Sequence, residues 1–349
     1  MEFGVCFTDP FCLQLNTFAS ETETMIIHIH FHSHRTGVTR SVETLIPVMN
    51  KYTEARVFGY GIDCPKTGFT ALLRQVYSGG GTVIHAHRNN EMLFAILLRL
   101  LRAKFRLIFT RHSDTSPSGF TVWLMKKADM VISLNPGMAE TLPCRNTMIP
   151  HGVDTELFSP GERTGIQGIK QNYLVSVVGR IRPSKGQLVA MKAISGLLEK
   201  NRELGLMLIG KVDNAGYADE IREIALRNKI ESQVHFIPET NDIVRYYRAS
   251  SVVIIPSVSE GFSLVCLEAM ACGVITVATG ATGIHDSVIQ HGLNGYLFPV
   301  DDVAALSRIL SDVVSGNSLP DREVIRKTIL DKWSVDNNVR ELLKVYSNI

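Results

Sequence analysis

Short apolar, β-rich runs alternate with stretches of helical periodicity along nearly the whole chain. That alternation confines the chain to parallel α/β architecture, in which every crossover between neighbouring strands is a helix. "MIIHIHF", "ARVFGYG", "TVIHAH", "LIFTRH" and "MVISL" read as strands in the first half. After Val38 the apolar residues Val42, Leu45, Ile46 and Met49 recur at helical spacing, and Met92 to Leu101 reads as a second helix. "DTELFSPGERTGIQGIKQN" interrupts the pattern with Gly and Pro and reads as a linker. A second series follows: "YLVSVVG", "LGLMLIG", "VHFIP", "SVVIIPS", "GVITVAT" and "GYLFP" are strands, with helices such as "GQLVAMKAISGLLEK" and "YADEIREIALRNK" between them. With 349 residues, 45% of them hydrophobic, the chain has enough material for two cores. The expected organisation is an N-terminal extension over 1–24, with Met25 a candidate true start, and domains over 25–160 and 161–332. A last helix over 333–349 is capped by Ser334 and returns toward the N-terminal domain.

Composition narrows the partners. The net charge of +2 gives no reason to expect nucleic acid. Six scattered cysteines without a C-x-x-C pair suit a reducing, cytoplasmic setting. The richest apolar stretch, "MLFAILLRLLRAKF", is broken by Arg99, Arg102 and Lys104, too soon for a membrane span, and "MEFGVCFTDPF" lacks the basic start of a secretory signal. Between Met92 and Ser113 the residues Arg99, Arg102, Lys104, Arg106 and Arg111 meet no acid in sequence. With Leu97, Leu98, Leu100 and Leu101 among them, this segment is either a surface for anionic membrane or a core helix with a solvated basic side.

Two segments carry chemistry. In "SEGFSLVCLEAMACG", Glu260 stands in the loop after a strand, Ser263 is placed to cap the next helix, Gly273 ends it, and Glu268 lies within it. A helix start preceded by glycine suits a phosphate group, and two carboxylates beside it suit sugar hydroxyls, Glu260 those of a transferred sugar and Glu268 those of a ribose. The apolar neighbours of Glu268 speak against a merely solvated role, because a carboxylate in such company needs a partner. In "VVGRIRPSKGQLVAM", Arg180 and Lys185 project from a loop at the carboxyl end of a strand, where a guanidinium and an ammonium together neutralise a diphosphate.

"GRIRPSKG", the E-x7-E pair in "EGFSLVCLE", the following "AMACGVITVATGATGIHDSVIQHGLNGYLFPVDD" and "IPHGVD" together resemble the retaining GT-B glycosyltransferases of family 4, from Met25 to the end. The resemblance implies two Rossmann-like domains with parallel sheets facing a central cleft, a nucleotide-sugar donor held mainly by the C-terminal domain and an acceptor by the N-terminal one. By motif position it makes Arg180 and Lys185 the diphosphate ligands, Glu268 the ribose ligand and Glu260 the acid on the sugar. Gly261, Phe262, Ser263 and Leu264 form the loop around the sugar and distal phosphate. Gly37 in "RTGVTRS" takes the place of the family's glycine loop near that phosphate, and His112 in "LIFTRHS" that of a histidine near the transferred sugar. One departure is "GIHDSV", where the family has Pro then Glu. "HRTGVTRSVETLIP" with "TVWLMKKADMVISLN" resembles bacterial lipopolysaccharide-core mannosyltransferases, which makes GDP-mannose, ahead of a UDP-hexose, the expected donor and a lipid-linked or lipopolysaccharide-core saccharide the expected acceptor. Catalysis is expected from His112, Glu260, Arg180 and Lys185, without cofactor or metal, since no D-x-D is present.

The histidines leave a rival from another class. His28, His30, His32 and His34 alternate along one strand, and "HIHFHSH" and "VIHAH" both carry H-x-H at strand ends, as metal-dependent hydrolases do; His112 and His151 add further ligand types. That rival explains neither the two α/β series nor the joint presence of Glu260, Glu268, Arg180 and Lys185. His32 and His34 are expected where the strand empties into the cleft, and His87 is divided between lining the acceptor side and a structural role. A third use of the same fold, donor epimerisation or binding without catalysis, is disfavoured by the E-x7-E pair.

Overall fold

The computed structural model describes residues 24–79, 81–317 and 319–349; the expected extension, apart from Thr24, lies outside them, as do Cys6 and Cys12. Among the described residues twelve strands form two wholly parallel sheets. In the first, β1 (Ile26–Phe31), β2 (Ala55–Tyr60), β3 (Val83–Ala86), β4 (Arg106–Thr110), β5 (Met130–Ser133) and β6 (Asn146–Met148) stand in the order 2-1-3-4-5-6. In the second, β7 (Tyr173–Val178), β8 (Leu204–Ile209), β9 (Val234–Ile237), β10 (Val252–Ile255), β11 (Ile275–Thr279) and β12 (Tyr296–Phe298) stand in the order 12-11-10-7-8-9. Both are doubly wound sheets whose strand order reverses once, between β1 and β3 in one and between β7 and β10 in the other. Ligands bind at such reversals, outside the carboxyl ends of the strands.

The strands form where the apolar runs lie because a parallel sheet is covered on both faces. All six residues of β8 are buried, as are the first five of β1. The helix Gly37–Met49 buries the expected Val42, Leu45, Ile46 and Met49. Its first residue is Gly37, so "RTGVTRS" contributes a short loop and then a helix start capped by Thr36, in place of a longer glycine loop. The segment 154–172 holds no helix or strand. The helix Val335–Ser347 takes its N-cap from Ser334, whose side chain accepts from the Asn337 N–H. It buries Val335, Val339, Leu342 and Tyr346 against Ile26, Val42 and Ile46 of the first sheet's core.

The strand β1 is shorter than its histidine pattern. His28 and His30 are buried within it, whereas His32 and His34 follow its end and are partly or fully exposed, with His32 Nδ1 2.8 Å from the His34 carbonyl. The four are therefore not one wall. The basic segment is also partly spent in structure: Arg99 pairs with Asp129, Arg106 donates to the carbonyls of Gly81, Tyr346 and Ile349, and Arg111 donates to that of Thr115. Leu98 is core, while Leu97, Leu100 and Leu101 are 54%, 75% and 60% exposed. Among the described residues no helix is long and apolar enough to cross a membrane.

Candidate functional site

The carboxyl ends of β7 and β10 meet a cleft of about 480 Å³ between the two sheets, lined from the C-terminal side by Arg180, Lys185, Glu260 and Glu268 and from the N-terminal side by Gly37, Arg40, His112 and His151. After β7 the chain turns through Gly179 into Arg180, then a single turn of 3-10 helix, Pro183–Lys185. Gly186, at φ +68°, releases it into the helix Gln187–Lys200; a Cβ there would lie 1.9 Å from the Pro256 carbonyl oxygen, so the position admits no side chain. Gln187 donates to the Arg180 carbonyl and fixes the loop on the helix.

Lys185 and Glu260 are joined. Lys185 Nζ donates to Glu260 Oε1 at 2.5 Å, and Ser257 Oγ donates to the same oxygen at 2.7 Å. Both charged side chains are largely buried. Arg180 is half exposed, with Asp213 3.4 Å away. Glu268 is buried and accepts the Tyr247 hydroxyl at 2.6 Å. Burial pushes its carboxyl above the usual carboxylate range, against the Tyr247 hydrogen bond and the nearby Arg40 cation.

The loop from Glu260 to Leu264 is held from both sides. A Cβ on Gly261 would lie 2.2 Å from the His112 carbonyl oxygen, so glycine permits the two halves to touch here. Asn135 Nδ2 donates to the Gly261 carbonyl at 2.9 Å, Ser259 Oγ to Asp114 at 2.8 Å, and Phe262 packs edge-on against His151. Ser263 is the N-cap residue of the helix Leu264–Ala271 but does not cap it with its side chain. Its backbone is left-handed, φ 91°, and its hydroxyl pairs with His285 Nε2 at 2.9 Å. His285 stands where "GIHDSV" departs from the family. The helix start itself faces the cleft through Ser263, Leu264 and Val265.

On the opposite wall the buried Glu91 accepts the backbone N–H groups of Phe31, His87 and Arg88, tying the ends of β1 and β3 together at the reversal. Arg88 reaches on to Thr36, the cap of the helix that begins at Gly37. Gly37 has open space where a Cβ would be. His112 and His151 line the cleft, whereas His32, His34 and His87 are not among its lining residues. His28, His85 and His87 do gather in the core, within reach of one another. Their rings are stacked or tilted at centroid distances of 4.5–5.2 Å, and every ring nitrogen of the three except His28 Nε2 is already bonded to another imidazole or to a hydroxyl. Tyr247, Ser257, Arg40 and Glu91 went unread in the sequence. Arg40 alone had a signal, its place in "RTGVTRS".

The chain is a GT-B glycosyltransferase: the profile "Glycosyl transferases group 1" matches residues 163–329, and the chain belongs to that family. It is 32% identical over 307 residues to the lipopolysaccharide core biosynthesis mannosyltransferase LpcC of Rhizobium leguminosarum bv. viciae, covering 84% of this chain and 87% of that one. It is 31% identical over 299 residues to the corresponding mannosyltransferase LpsB of Rhizobium meliloti (strain 1021), covering 80% and 84%. Among solved structures, Anabaena HepE in complex with UDP and glucose superposes with a TM-score of 0.76 at 19% identity over 93% of this chain and all of that one, which speaks for the fold.

Proposed function

We propose that this glycosyltransferase moves mannose from GDP-mannose to a saccharide of a lipid-linked or lipopolysaccharide core, with retention of configuration. The single observation that supports this reading most is that Arg180, Lys185, Glu260 and Glu268, distant in sequence, line one cleft at a sheet reversal together with a helix start. Two relatives that share most of the chain are lipopolysaccharide-core mannosyltransferases by name, which favours mannose and a core acceptor.

In this reading Arg180, Lys185 and the N–H groups at the start of Leu264–Ala271 neutralise the charge that develops on the departing diphosphate. The backbone from Gly261 to Leu264, with Gly37 opposite, surrounds the sugar and its phosphate. Glu268 accepts the ribose hydroxyls, and Glu260 and His112 hold the mannose. The bond from the anomeric carbon to the phosphate oxygen breaks, the acceptor oxygen bonds to that carbon from the same face, and the acceptor's proton passes to the leaving phosphate. Positioning and charge stabilisation supply the rate.

The acceptor reading extends to a membrane surface. Leu97, Leu100 and Leu101 are exposed, and the neighbouring helix Gly119–Met125 adds exposed Phe120 and Trp123, stacked on each other, with Lys127 over the indole. Apolar side chains ringed by Arg102, Lys104, Lys126 and Lys127 suit an anionic leaflet carrying the acceptor.

A screen of nucleotide sugars by thermal stabilisation and slow hydrolysis tests the donor. GDP-mannose is expected to raise the unfolding midpoint most and to release GDP; a UDP-hexose doing so in its place would overturn the mannose assignment.

A further inference from the structure

Beside the donor cleft lies a row of histidines of which the mechanism above uses His112 alone. β1 and β3 are parallel neighbours with His28 opposite His85, and His87, His112 and His151 follow β3, β4 and β6 on the same side. Four rings are joined nitrogen to nitrogen: His28 Nδ1 to His87 Nε2 at 3.0 Å, His87 Nδ1 to His112 Nε2 at 3.0 Å, and His112 Nδ1 to His151 Nε2 at 3.3 Å. The row ends in the cleft wall, with His151 Nδ1 2.9 Å from Ser41 Oγ, and begins in the core at His28 Nε2, a buried nitrogen with no partner among the described residues.

Burial holds all these imidazoles below their usual range, His28 at about 3 and His151 at about 4. The cations Arg88 and Arg111 add to this at His112. Each ring is therefore neutral at pH 7 and owns one N–H. A neutral imidazole between two nitrogens donates to one and accepts from the other, so a single choice fixes the polarity of the whole row. Either all four protons sit on Nδ1, leaving a bare lone pair at His28 Nε2, or all four sit on Nε2, leaving a buried N–H there with no acceptor. A buried orphan N–H is the rarer defect, and the first polarity is favoured. His85 stands beside the row. Its Nδ1 lies 2.6 Å from the buried Tyr346 hydroxyl and its Nε2 2.7 Å from Thr110 Oγ1, so its partners are hydroxyls and it takes no part in the polarity of the row.

We infer that the link between His112 and His151 is the seat of one hydroxyl of the transferred sugar, and that His28 and His87 are positioning residues that set its polarity: the hydroxyl accepts from His112 Nδ1–H and donates to His151 Nε2. This link is the longest of the three and the one at the cleft. A hydroxyl entering it, with the two rings moving apart to admit its oxygen, replaces one N–H···N bond by two hydrogen bonds in the same direction and so keeps the polarity of the row. The inference rests on the reading of His112 as a sugar contact and adds His151 as its counterpart.

The first test needs no substrate. In the full chain with nitrogen-15 histidine, resonances assigned by single His→Gln variants are expected to show protonated Nδ1 on His87, His112 and His151; protonated Nε2 on His112 overturns the inference. The second test is kinetic. His87→Leu cuts the row and is expected to lower kcat by up to about a hundredfold with the donor KM unchanged. His87→Gln, whose amide accepts from His28 and donates to His112, is expected to recover most of that loss. Equal losses in the two variants, or a loss confined to KM, contradict it. Undiminished turnover in His112→Ala would remove the sugar contact itself, an outcome the nitrogen spectra do not depend on.

Discussion

Lys185 Nζ and Glu260 Oε1 lie 2.5 Å apart although 75 residues separate them, so the loops after β7 and β10 share one ion pair at the point where the sheet order reverses. Removing the ammonium takes away a cation proposed for the diphosphate and leaves a largely buried carboxylate that keeps the Ser257 hydrogen bond. Lys185→Ala is expected to lower the transfer rate on the order of a hundred- to a thousandfold, the loss typical of removing one preorganised donor. Steady-state transfer assays check this, and an unimpaired variant would refute the charge assignment.

Glu268 and Tyr247 form a second buried pair. A carboxylate that binds a ribose in a largely buried setting contributes about 1.5–3 kcal/mol per hydrogen bond. Glu268→Ala is expected to weaken binding of the nucleoside diphosphate by about ten- to a hundredfold. Tyr247→Phe leaves the carboxylate without the one bond that opposes its upward shift, so its affinity is expected to fall most at acid pH. Calorimetric titration with the nucleoside diphosphate measures both, and equal affinities across wild type and Glu268→Ala would rule the ribose contact out.

The histidine row makes stability depend on pH. Burial lowers the folded pKa values of His28, His85, His87, His112 and His151, so below about 6.5 the unfolded chain binds protons that the folded chain does not. Their contribution is complete above the unfolded value and is lost as pH falls toward the folded ones. Each group costs about 1.4 kcal/mol per pH unit in that window. The unfolding midpoint is expected to drop steeply from pH 7.5 to pH 5.5, with a shallower slope in His28→Leu. A flat midpoint over this range would mean that the row is not neutral in the fold.

Membrane docking is tested with vesicles. Leu97→Ser, Leu100→Ser and Trp123→Ser together remove much of the exposed apolar surface without touching the cleft. Wild-type protein is expected to float with anionic vesicles at low salt and to be released as salt rises, since exposed charges are screened within about 10 Å at 0.1 M. The triple variant is expected to stay in solution. Wild-type binding that ignores salt would count against the basic rim.

Much of the architecture was legible because parallel strands are continuous apolar runs. All six strands of the second sheet and five of the first appear in the sequence as such runs. The sixth, Asn146–Met148, carries "NTM", too short and too polar to show a period. The site was legible where spacing carries chemistry, as in E-x7-E and "GRIRPSKG". Tyr247 was not, since its pairing with Glu268 is made by packing between the helices Ile243–Ala249 and Leu264–Ala271. Ser263 read as a cap by type, but His285 competes for its hydroxyl from 22 residues away. The histidines were visible as residues and misleading as a pattern. Sheet pairing beside β3, rather than alternation within β1, decides that His28 meets His85 and His87.

In the proposed reaction, protein cations and helix amides stabilise the leaving diphosphate. Mannose transfer from GDP-mannose to a core saccharide, assayed with a metal chelator present and compared with the Arg180→Ala/Lys185→Ala double variant, tests it most directly. Wild-type turnover is expected to withstand the chelator, and the double variant to be slower than either single change. Turnover abolished by the chelator, or a double variant as fast as wild type, would contradict it.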